Sequence, residues 1–168
     1  DAKRLELSLG LIELLMEMFD LVLVDLAGSE GILPFGVLSQ SDIRVLIGSN
    51  EPAAVFLLHR GVGELAQIPG DGTVAVALSQ LLPTGLTAAD VFDFVLTEFP
   101  ADQAFLRLPQ VPLDDRARHW VGTGNTLYTE GSKALQEALE THIRMLAAAT
   151  GRFEKLSGGP HSAETKAT

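Results

Sequence analysis

An α/β fold with a mostly parallel sheet flanked by helices is predicted by three observations. Short apolar, β-branched runs alternate along the chain with stretches of helical periodicity, which is the pattern of strands joined by crossover helices. Clusters of Gly and Pro separate the two kinds of stretch. The run Phe19-Asp20-Leu21-Val22-Leu23-Val24-Asp25-Leu26-Ala27-Gly28 is apolar through its middle and then releases a carboxylate and a glycine. A buried parallel strand with such an ending places charge at the carboxyl edge of the sheet, where α/β folds bind ligands.

The elements follow in order. Leu11, Leu14, Leu15 and Met18 recur at i, i+3, i+4 and i+7, so residues 4–18 read as an amphipathic helix leading into a strand at 20–25. Between Ala27 and Asp42 lie Gly28, Gly31, Pro34 and Gly36, the composition of a switch-like loop with room for a short helix. Ile43 to Ile47 is the second strand. Pro52 suits a first helical turn, and the stretch to Ala66 carries an apolar face of Val55, Leu58, Val62 and Leu65. Pro69-Gly70-Asp71-Gly72 is a turn, and Thr73 to Leu78 is a buried strand.

Thr87-Ala88-Ala89-Asp90 has the form of a capping box with Asp in place of Glu, opening a helix along Val91, Phe94, Val95 and Phe99 that Pro100 ends. Ala104 to Leu108 forms a fourth strand, Pro109 and Pro112 enforce a loop, and a short helix covers Asp114 to Val121. Leu135, Leu139, Ile143 and Leu146 mark the core face of a final helix over 132–149, which Gly151 stops. The expected organisation is one domain over 1–151 and a flexible polar tail over 152–168, the latter rich in Gly, Ser, Thr and Ala without periodicity.

With 168 residues and 46% apolar content the chain can bury a sizeable core. Its longest apolar runs fall far short of the ~20 residues that span a bilayer. The opening residues, from Asp1, have no charged-then-apolar leader, which argues against a secretory signal and suggests a fragment. The absence of Cys excludes disulfides and thiolate metal sites and fits a cytoplasmic location. A net charge of −10 disfavours nucleic acid and anionic lipid as partners.

Among candidate chemistries, Asp25 reads as a metal-associated carboxylate, the alternative being a strand-end Asp that caps the following turn. Gly28 is then the residue that couples a bound phosphate to the next loop, or simply a turn glycine. Arg107, Arg116, Arg118 and His119 form the densest basic stretch, but Asp114 and Asp115 beside them make ordinary surface pairing the better reading. The four histidines have no ligand spacing, and no serine occupies a G-x-S-x-G elbow. Gly61-Val62-Gly63-Glu64-Leu65-Ala66 matches a dinucleotide fingerprint only in letters, since it falls within a helical pattern and not at a strand-to-helix turn. Leu33, Pro34, Phe35, Val37 and Leu38 are either a partner contact or a buried short helix.

Taken together, the segments from Leu11 to Gly151 resemble the carboxyl-terminal half of the MinD/ParA family of P-loop ATPases, particularly the pilus-assembly branch of the CpaE or TadZ type. The resemblance is carried by Phe19 to Gly28, by Ser41-Asp42 before an apolar strand and Glu51-Pro52, and by Thr73 to Leu78. Phe105-Leu106-Arg107-Leu108-Pro109-Gln110 and the stretch from Gly122-Thr123-Gly124 to Leu135 complete it. It implies an incomplete P-loop NTPase sandwich, ATP and Mg2+ as ligands, and a homodimer when nucleotide is bound. Asp25 would hold the metal in a Walker B role, and Gly28, Ser79, Gln80, Pro109 and Gln110 would be nucleotide-binding.

The partner implied is a protein of a pilus, secretion or division machine. The chain departs from the family in three ways. None of its lysines, Lys3, Lys133, Lys155 and Lys166, follows a Gly, so no Walker A loop is present and hydrolysis by this chain alone is not expected. Ser79-Gln80 stands where relatives often carry an adenine-binding Asn. The polar tail does not resemble the basic membrane helix of some members. The contrasting reading is a non-catalytic scaffold or interaction module that docks through a sheet edge and the switch-like loop.

Overall fold

The computed structural model describes residues 2–26, 32–79, 85–114 and 126–151. Helices α1 (Ala2–Met18) and α2 (Ile32–Gln40) precede strand β1 (Ile43–Gly48), helix α3 (Pro52–Ala66) and strand β2 (Thr73–Leu78). Helix α4 (Ala88–Val95), strand β3 (Phe105–Arg107), the single turn α5 (Leu127–Glu130) and helix α6 (Lys133–Thr150) follow. The strands are all parallel, in the order β1-β2-β3, with Ile43 opposite Thr73 through Gly48 opposite Leu78, and Val74 opposite Phe105. Each parallel step is made by one helix, α3 and then α4, as the strand–helix alternation predicts.

Central β2 shows why the sheet is covered on both faces. Val76 and Leu78 pack with Val55, Leu58 and Val62 of α3 and Val91, Phe92 and Val95 of α4. Ala75 and Ala77 point the other way, and their small side chains let Met145 and Leu146 of α6 approach together with Leu106 and Leu108. A second cluster of Leu65, Ile68 and Val74 closes the amino end, with Phe99 edge-on to Phe105 at 5.0 Å between ring centroids. The helix starts are those expected. Pro52 occupies the first turn of α3, and the Thr87 hydroxyl accepts from the Asp90 amide while the Asp90 carboxylate accepts from the Thr87 amide.

Three expectations are corrected. The strand placed at 20–25 is absent: residues 20–26 lie outside every helix and ladder, and Leu21, Leu23 and Val24 are exposed. A strand is held by its ladder neighbours rather than by propensity, and no described strand runs beside this segment. Second, the apolar stripe of α1 is not core, since Leu11, Leu14 and Met18 are exposed; α1 packs on α2, with the Leu5 and Leu9 side chains against Gly36. Third, Ile143 on α6 is exposed; the helix packs on the sheet through Met145 and Leu146. The short helix allowed for within 27–42 is α2, which buries Val37 while leaving Leu33 and Phe35 in solvent. The short helix expected at Asp114–Val121 lies outside the described residues beyond Asp114, as does the tail 152–168.

Candidate functional site

The carboxyl edge of the sheet is assembled by backbone hydrogen bonds that continue past the strands. The Ser79 amide donates to the Gly48 carbonyl at 2.8 Å, and the Val111 amide donates to the Leu78 carbonyl at 2.8 Å. Ser79 thereby forms a parallel bridge with Val111 and stands between the exits of β1 and the β3 extension. Pro109 follows buried Leu108, whose amide donates to Val76, and its ring leaves that step of the ladder without a donor. Gln110 comes next and is exposed. Three of the expected nucleotide-binding residues, Ser79, Pro109 and Gln110, therefore share one rim.

Of the other three expected site residues, only Asp25 is among the described residues. Asp25 lies on the exposed segment outside the ladder, so no strand delivers it to this rim. Gly28 and Gln80 fall outside the described residues. Among the described residues no group of three or more His, Cys, Asp or Glu side chains is arranged to hold a metal ion. Ser79, Pro109 and Gln110 bring a hydroxyl, a proline ring and an amide side chain to this rim.

Asn50, two residues beyond β1, is a rim residue whose role the sequence did not disclose. It is only 3% exposed, its Nδ2 donates to the Leu86 carbonyl at 2.9 Å, and its own carbonyl accepts from the Leu86 amide at 3.1 Å. Gly85 passes so close that an added Cβ would strike the Asn50 amide group. The chain returning toward α4 is therefore stapled to the end of β1. A buried asparagine after a strand and a glycine ahead of a capping box were the available signals, but they lie 35 residues apart and point to each other only in three dimensions.

The amino edge holds a different kind of centre. Arg44, 1% exposed within β1, donates from Nε to Leu38 (2.8 Å), from Nη1 to Leu65 (3.2 Å) and Ile68 (3.0 Å), and from Nη2 to Pro69 (2.8 Å), all carbonyl oxygens. Burial lowers its pKa from the ordinary arginine value, and the fork of five donors matches a ring of carbonyls. Gly70, at φ +106°, and Gly72 leave room for the guanidinium, since a Cβ on either would meet Ser39 or Ser41 backbone and Arg44 itself. An open polar depression of about 250 Å3 beside it is lined by Ser39, Asp42, Asp71, Thr73 and Thr150. It sits at the wrong end of the strands for the usual α/β ligand site. Because four carbonyls take up the guanidinium's donors, Arg44 is a clamp on three segments rather than a ligand group.

No protein-family model, curated protein or solved structure matches the chain.

Proposed function

We propose that the chain is the carboxyl-terminal portion of a MinD/ParA/CpaE-like ATPase, a nucleotide-dependent dimerisation switch that positions a pilus, secretion or division assembly in the cytoplasm. The observation that carries this reading is the convergence of Ser79, Pro109 and Gln110 at the carboxyl rim of a parallel sheet, the position at which α/β sheets take nucleotides. In this reading the rim recognises the base. The Ser79 hydroxyl and the Gln110 amide supply donors and acceptors, Pro109 supplies a flat apolar wall, and Gln80 belongs to the same surface. Asp25 as the magnesium residue and Gly28 as the phosphate-coupling residue rest on the resemblance, and no catalytic step is assigned to residues 1–168, which contain no Gly-Lys-Ser/Thr sequence.

The outer edge of β1, which has no strand beside it among the described residues, favours a second reading, an interaction module without catalysis. A calorimetric titration with ATP, in the presence and absence of magnesium, separates the two. The switch reading expects saturable binding that weakens about fivefold or more in Gln110→Ala, a loss typical of one ligand hydrogen bond. It further expects magnesium dependence that disappears in Asp25→Ala. Unchanged magnesium-dependent affinity in Asp25→Ala removes that residue from its role, and no binding of ATP or GTP by the protein leaves the interaction module.

A further inference from the structure

Among the described residues, two segments with matching chemistry have backbone edges without a ladder partner. The first is the outer edge of β1, which among the described residues pairs only with β2. Its open face presents Val45 and Ile47, the latter 70% exposed, and its one charged side chain, Arg44, is turned inward and buried. On the opposite face Leu57 of α3 is 65% exposed. His59, two residues on, stacks on Phe94 of α4 at 4.8 Å between centroids, and a helix turns about 200° over two residues, so Leu57 lies on the flank away from α4, above the β1 edge. Natural edge strands resist pairing through charge, proline or a bulge; β1 has no proline and no bulge, and its one charge, Arg44, is engaged by carbonyls of the same chain.

The second surface is Asp20-Leu21-Val22-Leu23-Val24-Asp25. It has the composition of a strand buried on both faces, it lies outside any ladder, and Leu23 is 83% exposed. It matches β1 in length, six residues each. Its charges fall only at its two ends, so pairing with itself in antiparallel fashion would set Asp20 against Asp25, whereas β1 opposes it with no carboxylate, and its one charge, Arg44, is buried and engaged by carbonyls.

We propose that these surfaces satisfy each other between two copies of the chain: Asp20–Asp25 of each copy adds as a parallel strand to the β1 edge of the other. Within one copy the segment stays off its own ladder, with α1 folded back onto α2 and α2 fastened to the start of β1 through Leu38 and Arg44. A reciprocal exchange is closed and two-fold, and it removes both bare edges of β1 and both exposed apolar segments at once. In register, Asp20 lies beside Ile43 and Asp25 beside Gly48. Val22 and Val24 then join Val45 and Ile47 on one face, and Leu21 and Leu23 meet Leu57 on the other. The exchange also brings Asp25 of a second copy to the rim that holds Ser79. Only this last consequence rests on the nucleotide reading; the exchange itself does not.

The absence of Cys makes the test direct. Val24→Cys and Ile47→Cys chains, mixed in equal amounts and oxidised without nucleotide, are expected to give the mixed disulfide dimer in at least about fivefold excess over either self-pair, because adjacent parallel strands bring these positions within disulfide reach. A dominant Ile47–Ile47 pair would overturn the proposal in favour of edge-to-edge association. A double variant that closes within one chain would overturn it in favour of pairing in cis, and the absence of any preferred pair would overturn it outright. Sedimentation of the unmodified protein supplies the second readout: a dimer is expected, weakened at least ~10-fold by Ile47→Asp, an exposed position whose change leaves the core intact. Because neither readout involves ATP, failure here and failure of ATP binding are separate results.

Discussion

At the residue scale, Arg44 decides more than any other side chain described. A guanidinium sealed from water is tolerated only when its donors are engaged, and four carbonyls from α2, α3 and the turn after α3 engage them. Replacing it with Met keeps the bulk but leaves those carbonyls without a donor. Arg44→Met is therefore expected to lower the free energy of unfolding by about 3 kcal/mol or more, read from the urea midpoint at unchanged slope. Arg60→Ala is the contrasting case. Its pair with Glu64 is solvent-exposed on one helix face, so the same measurement should move by less than about 0.5 kcal/mol. Sequence reasoning passed over Arg44 because a lone arginine in an apolar strand reads as an outward-facing charge; the carbonyls that bind it come from segments up to 25 residues away.

Elements were legible where local chemistry and packing agree. Val55, Leu58, Val62 and Leu65 are the buried face of α3, and the Thr87–Asp90 box opens α4 with both reciprocal hydrogen bonds. Thr87→Ala should cost about 1 kcal/mol in stability by loss of that cap, and Thr87→Ser should restore most of it. Leu58→Ala, at the centre of the α3 face, should cost about 3 kcal/mol. Both are checked by denaturant titration. Where the reading failed, the missing information was the neighbour. Asp20–Asp25 has strand chemistry without a ladder, Leu11 and Leu14 have helical spacing without a sheet beneath them, and Ile143 keeps the period of α6 but stays exposed while Met145 and Leu146 meet the sheet. The position of Ser79, Pro109 and Gln110 at the rim was legible because strand ends can be read from sequence, whereas the Asn50–Gly85 staple needed the fold.

Across the whole molecule, both outer strands of the sheet have a single neighbouring strand among the described residues, and β1 is the longer of the two edges. The described chain leaves Ile47, Leu57, Leu23 and Phe56 largely in solvent, more apolar side chain than a monomer usually shows, and binding of a hydrophobic fluorescent dye is expected to fall as protein concentration rises. The amino end behaves differently. Since one cation is shared among the end of α2, the end of α3 and the turn leading to β2, none of these can detach without stranding the rest. Amide hydrogens throughout that end should thus exchange with deuterium as a block and at a common rate, while those around α1 should exchange singly and early.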